Sequence, residues 1–119
     1  MERIAYQLRI RRDKIAEYEY EHERVWPELL AELETFGVSQ YSIFRRDQLL
    51  VLYLQIPDFE EFKRKAARSA VNLRWQEKMA PLFEPVPDLR PYESEAMMKE
   101  VFFLRGSSAC DCGAGTEHR

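Results

Sequence analysis

From Arg3 to Arg11 apolar and polar positions alternate, with Ile4, Tyr6, Leu8 and Ile10 set against Arg3, Gln7, Arg9 and Arg11. This two-residue period predicts a strand with one wet face. The period then lengthens: Asp13 stands where it can cap a helix, and Ile15, Tyr18, His22, Trp26, Leu29 and Leu33 recur every three or four residues, with Glu17, Glu21 and Glu28 off that stripe. Pro27 removes a backbone donor from this run, which predicts a kink or restart near Trp26 with Pro27 in a first turn. Gly37 supplies a helix-closing residue. Val38 to Arg45 and Leu49 to Ile56 read as two strands joined by the turn Arg46-Asp47-Gln48, the second apolar on both faces and therefore central. Pro57 stops it, and Asp58 with Glu61 forms a capping-box spacing. A helical region follows to about Met79, broken near Ser69, with Ala66, Val71, Trp75 and Met79 inward. Pro81 to Glu95 reads as irregular, Met98 to Leu104 as a last strand, and Arg105 to Arg119 as a disordered polar tail.

Strand, helix, strand, strand, helix, strand is the order of an α+β, ferredoxin-like split βαβ sandwich: a four-stranded antiparallel sheet with helices on one face. The domain is expected over residues 1–104 and the tail over 105–119. Such a sheet leaves its second face bare. With Tyr6, Leu8, Tyr41, Ile43, Phe102 and Phe103 to accommodate besides the two-sided third strand, that face calls for a cover, and the expectation is a homodimer packing sheet against sheet with two equivalent clefts.

Composition narrows the function. The 119 residues are 45% hydrophobic and 33% charged, with 4 Gly and 6 Pro, which suits one globular domain and excludes collagen-like or low-complexity chains. A net charge of -3 offers no field for a polyanion, so nucleic acid is not an expected partner. The basic groups at Arg9, Arg11, Arg12 and Lys14 and at Lys63, Arg64, Lys65 and Arg68 read as solvated ends of elements. The longest apolar run, Leu49 to Leu54, is far short of the ~20 residues of a membrane span, and no apolar leader opens the chain, so a cytoplasmic setting is expected. Cys110 and Cys112, two apart in the tail, make no disulfide framework, and with His118 they give only a weak metal signal.

His22 carries the candidate chemistry. It stands one turn after Tyr18 and one before Trp26 on the same apolar stripe. An imidazole beside a phenol on a buried face can pass a proton near neutral pH; the plainer alternative is a core histidine satisfied by a carbonyl or by the tyrosine. The only acidic neighbours for a metal site are Glu19, Glu21 and Glu23, too few of which can turn inward, and no Gly-rich phosphate loop or dinucleotide fingerprint is present. No metal or cofactor is expected. Tyr41 and Trp75 bracket one end of the predicted sheet, and aromatic faces beside hydrogen-bonding groups are how proteins grip sugars.

With these residues in place, the chain resembles the L-rhamnose mutarotases, small dimeric α+β-barrel proteins. The likeness runs from Met1 to about Leu104 and is most specific over Tyr18-Glu19-Tyr20-Glu21-His22-Glu23-Arg24-Val25-Trp26-Pro27-Glu28-Leu29. Gln40 to Phe44, Arg74 to Met79 and Glu100 to Leu104 also match. The resemblance implies His22 as proton donor and Tyr18, Tyr41 and Trp75 as sugar contacts. Where the family usually has a second tryptophan after the first, this chain has Gln76, an amide that trades stacking for hydrogen bonding to a hydroxyl.

The implied reaction interconverts the α and β anomers of a pyranose, L-rhamnose or another 6-deoxy sugar. It needs a proton on the ring oxygen and loss of one from the C1 hydroxyl, with no redox step. His22 is assigned the first; the base is left open between Tyr18, a water and His22 itself, although a neutral phenol is a poor base near pH 7. Two other readings compete. Cofactor-free monooxygenases of the dimeric ferredoxin-like type share the sheet, and fold does not fix function. A ligand-binding module with a structural His22 is the third.

Overall fold

The computed structural model describes residues 1–87, 89–90 and 95–106. Strand β1 (Glu2–Arg9) leads through a 3-10 turn (Arg12–Lys14) into helices α1 (Ile15–His22) and α2 (Pro27–Thr35). Strands β2 (Gln40–Arg46) and β3 (Leu49–Ile56) form a hairpin. Helices α3 (Phe59–Arg68) and α4 (Ala70–Met79), a 3-10 turn (Ala80–Leu82) and a short strand β4 (Ala96–Met97) follow. The sheet is antiparallel throughout with order β2-β3-β1-β4, so β3 is inserted between β1 and β2, the split βαβ arrangement of a ferredoxin-like α+β fold.

Local chemistry explains the breaks. Pro27 occupies the first turn of α2, and Trp26 before it is extended (φ -60°, ψ 130°), as the residue preceding a proline prefers. Helix α1 therefore ends at His22. Asp13 does not cap α1. The chain makes its 3-10 turn first, so Asp13 falls inside that turn beside Arg11, and the position before α1 is Lys14, with no side-chain cap. At Gly37 φ is +100°, and a Cβ there would stand 3.1 Å from Pro57 Cδ; the helix closure and the close approach of the β3 exit both call for glycine. Asp58 Oδ1 accepts from the Glu61 amide at 3.1 Å, capping α3. Ser69 ends α3 and starts α4, accepting from the Asn72 amide at 3.0 Å and donating to the Glu32 carboxylate, which ties this break to α2.

Leu50, Leu52, Leu54 and Ile56 of β3 turn their side chains to the helices and are buried. Register places Leu8, Tyr6 and Ile4 of β1 and Ile43 and Tyr41 of β2 on the same side. Four of the apolar residues that called for cover, Tyr6, Leu8, Tyr41 and Ile43, thus find it under the helices of the same chain. The open face carries Ala5, Phe44, Val51 and Tyr53, with Phe44 directly across from Val51. Beneath the helices, Ile10, Tyr18, Leu29, Leu50, Val71, Trp75, Met79 and Leu82 form the main buried cluster.

Gln48 is buried and fully used. Its Nε2 donates to the Ile10 carbonyl and to Glu84 Oε2, both at 3.0 Å, and its Oε1 accepts from Arg9 and Arg12. This clamps the β2–β3 turn to the segment after α4, which carries Phe83. Of the basic groups expected as solvated ends, Arg64 pairs with Glu61 at the surface, whereas Arg9 and Arg12 are drawn into the Gln48 clamp, Arg9 pairing with Glu84 as well.

The expected strand over Met98 to Leu104 is replaced by β4 at Ala96–Met97. Past the bond from the Met98 amide to the Ala5 carbonyl, contact with β1 passes to side chains: Arg3 pairs with Glu100 and lies over the Phe103 ring. Val101, Phe102 and Leu104 remain exposed. Arg105 and Gly106 are described and exposed; the rest of the tail, with Cys110, Cys112 and His118, lies outside the described residues. Among the described residues no helix is long and apolar enough to cross a membrane.

Candidate active site

Because α1 stops at His22, the imidazole stands at the helix end, one turn above Tyr18. The two rings stack with centroids 4.1 Å apart, and Trp75 of α4 meets the imidazole edge-on at 5.5 Å. Trp26 backs Trp75 at 5.2 Å, and Phe83 closes on Tyr18 at 5.8 Å. His22 is half-buried, whereas Tyr18 and Trp75 are buried.

His22 Nδ1 lies 3.0 Å from the Tyr18 carbonyl oxygen. A carbonyl can only accept, so Nδ1 carries the proton and donates it. Nε2 is the ring nitrogen left for a ligand, a base in the neutral imidazole and an acid in the imidazolium.

Two adjoining cavities, about 520 and 550 Å³, share His22, Tyr41, Ile43 and Trp75. Both fall in the range of small-ligand sites. The first runs under α2 between Leu29, Leu33 and Val38 and is mostly apolar. The second holds Tyr18, Tyr41, Trp75 and Gln76 beside His22, so one hollow brings together all five residues singled out from the sequence. Gln76 is exposed, at the rim. Tyr6, Lys63, Phe83 and Glu95 also line it, and the sequence reading had none of them in the site. Tyr6 did carry a signal, as the one polar-tipped side chain among Ile4, Leu8 and Ile10 on the inward face of its strand.

Burial pushes the Tyr18 phenol up from its ordinary value, with Tyr41 adding to the effect. Tyr6 moves the same way, through burial first and then the proximity of Tyr41, Glu95 and Tyr18. Tyr41 keeps 42% of its surface exposed, and burial pushes its hydroxyl up to about 12. Tyr41 thus bears on both other phenols, and all three line the second cavity. At neutral pH they are hydrogen-bonding groups, not bases.

A family model described as L-rhamnose mutarotase matches residues 3–104. The chain belongs to the L-rhamnose mutarotase family. It is 38% identical over 106 residues to L-rhamnose mutarotase of Bacillus subtilis (strain 168), a match covering 87% of this chain and 99% of that protein. The corresponding protein of Shouchella clausii (strain KSM-K16) is 35% identical with the same coverage. A crystal structure of an L-rhamnose mutarotase from Formosa agariphila superposes with a TM-score of 0.71 and 26% identity, over 88% of this chain and all of that one. Tetracenomycin F2 cyclase from Streptomyces glaucescens, a type-II polyketide cyclase, superposes with a TM-score of 0.58 at 18% identity over 89% of this chain and 99% of that one, a likeness of fold alone. Family membership favours the mutarotase reading over the monooxygenase and binding-module alternatives.

Proposed function

We propose that the chain is an isomerase interconverting the α and β anomers of L-rhamnopyranose, with His22 as the acid. The observation that carries this reading is the imidazole fixed by the Tyr18 carbonyl at a cavity walled by phenols and an indole. Nε2 gives its proton to the ring oxygen, the bond from C1 to that oxygen breaks, and the C1 hydroxyl loses its proton to leave an aldehyde. Rotation about C1–C2 and reclosure on the other face of the carbonyl reverse the steps. The upward shifts of Tyr18 and Tyr41 remove the phenols as bases. The C1 proton therefore passes to water or back to Nε2. Trp75 offers its face to ring C–H groups, Tyr18 and Tyr41 hold hydroxyls, and Gln76 adds an amide at the rim. In two-dimensional exchange NMR of equilibrated L-rhamnose, cross-peaks between the anomers should grow with added protein. Their absence at micromolar protein, with other 6-deoxy sugars also inert, rejects the assignment.

A homodimer joined through the open sheet face is part of the same proposal. Phe44 is 64% exposed opposite Val51, and Phe102 is 78% exposed, more apolar surface than a lone sheet face comfortably gives to water. Sedimentation should give twice the chain mass, and Phe44→Asp should shift it to a single chain. A wild-type protein that sediments as one chain at micromolar concentration rules the dimer out.

A further inference from the structure

Among the side chains that line the second cavity without a part in the proton transfers are Tyr6 of β1 and Glu95, next to β4. Tyr6 lies opposite Leu52 on one flank and Met97 on the other, so β1 holds it on the helix side of the sheet. Ile4 and Leu8 occupy the neighbouring inward positions of the same strand, where an aliphatic side chain suffices to fill the core. Tyrosine at this place adds a single polar atom. Burial raises this phenol well above its ordinary value, and Tyr41, Glu95 and Tyr18 lie near enough to add to the effect. A phenol hydroxyl on a cavity wall can pair with a hydroxyl of whatever enters that cavity. Glu95 lines the same cavity and its charge acts on the Tyr6 phenol, so this wall carries a hydroxyl and a carboxylate.

We propose that Tyr6, with Glu95 beside it, forms a second hydroxyl-binding wall of the sugar site, holding a ring hydroxyl of the pyranose remote from the carbon at which His22 acts. This rests on the sugar-binding reading given above. One cavity of about 550 Å³ spans both walls, so a single pyranose can meet Nε2 at its anomeric end and Tyr6 at another edge. The contact is present before, during and after ring opening. It therefore strengthens ground state and transition state alike and acts on binding rather than turnover.

Tyr6→Phe tests this with the loss of one oxygen atom. Loss of a neutral hydrogen bond predicts a KM for L-rhamnose raised about fivefold, with kcat unchanged within about twofold. An unchanged KM, as when a water alone satisfies the hydroxyl, overturns the proposal, and so does a fall in kcat at constant KM. Saturation-transfer NMR, which reads sugar binding without turnover, should show the same weakening. If the wild-type protein binds L-rhamnose but does not speed exchange, the proposed function falls while this binding comparison still decides the role of Tyr6. If it binds no L-rhamnose, both fall. Should Tyr6→Phe not fold, Glu95→Ala is expected to weaken binding by a similar factor, and unaltered binding in that variant overturns the proposal.

Discussion

His22→Ala should lower the rate of anomer exchange by about 10²- to 10⁴-fold, the share of acceleration that a positioned acid-base group supplies. The chain should stay folded. The ring is half-buried, and its one hydrogen bond runs to a carbonyl of its own helix, so its removal leaves no buried charge. The stacking with Tyr18 and the edge contact with Trp75 are lost, worth about 1 kcal/mol. Exchange NMR on L-rhamnose reads the rate, and circular dichroism with thermal melting reads the fold. Added imidazole should recover part of the lost exchange by filling the vacated space with a diffusible acid-base pair. Tyr18→Phe serves as the counterpart: since desolvation holds that phenol in its neutral form, removing its hydroxyl should cost no more than about tenfold. If Tyr18→Phe is the more damaging change, the base has been misassigned. If His22→Ala retains full exchange in a folded protein, the histidine is a core residue and the proton transfers lie elsewhere.

The parts of the fold that were legible are those where one residue type forces the backbone. Pro27 placed the restart of the helix, Gly37 its closure, Pro57 the end of the third strand, and Ser69 the break between the last two helices. Leu49 to Ile56 emerged with the anticipated bounds because strong β formers are enclosed there between a turn and a proline. What alternation does not encode is which side of the sheet the helices will cover. Tyr6, Leu8, Tyr41 and Ile43 could be grouped as apolar positions needing cover, but their face was left open, and so Tyr6 was not placed in the site. The last strand was misplaced for a different reason. Met98 to Leu104 has strand-forming residues, but within one chain its contact with β1 rests on Arg3 reaching Glu100 and Phe103 after a two-residue ladder. His22, Tyr18, Tyr41, Trp75 and Gln76 could be gathered from sequence only because the helical period and the family motif agreed; Glu95, in the proline-rich stretch, obeys no period.

Trp75→Ala should destabilise the fold by about 3–5 kcal/mol, the usual cost of deleting a buried indole. Only 6% of the residue is exposed, and it sits between the Trp26 and His22 rings in the cluster that joins α1, α2 and α4. Against a total stability of roughly 5–15 kcal/mol, such a loss leaves a marginal protein, so urea unfolding should show a much lower midpoint with an unaltered slope. Trp75→Phe should cost less, since a ring remains to meet Trp26, yet it should also slow exchange because the imidazole and the sugar share the missing part of the indole as a wall. The pair of variants separates packing from function. A fold weakened by Ala and largely restored by Phe, with exchange impaired in both, is the signature of a residue that is core on one side and binding surface on the other. Full exchange in Trp75→Phe would confine Trp75 to the core and leave sugar recognition to the phenols.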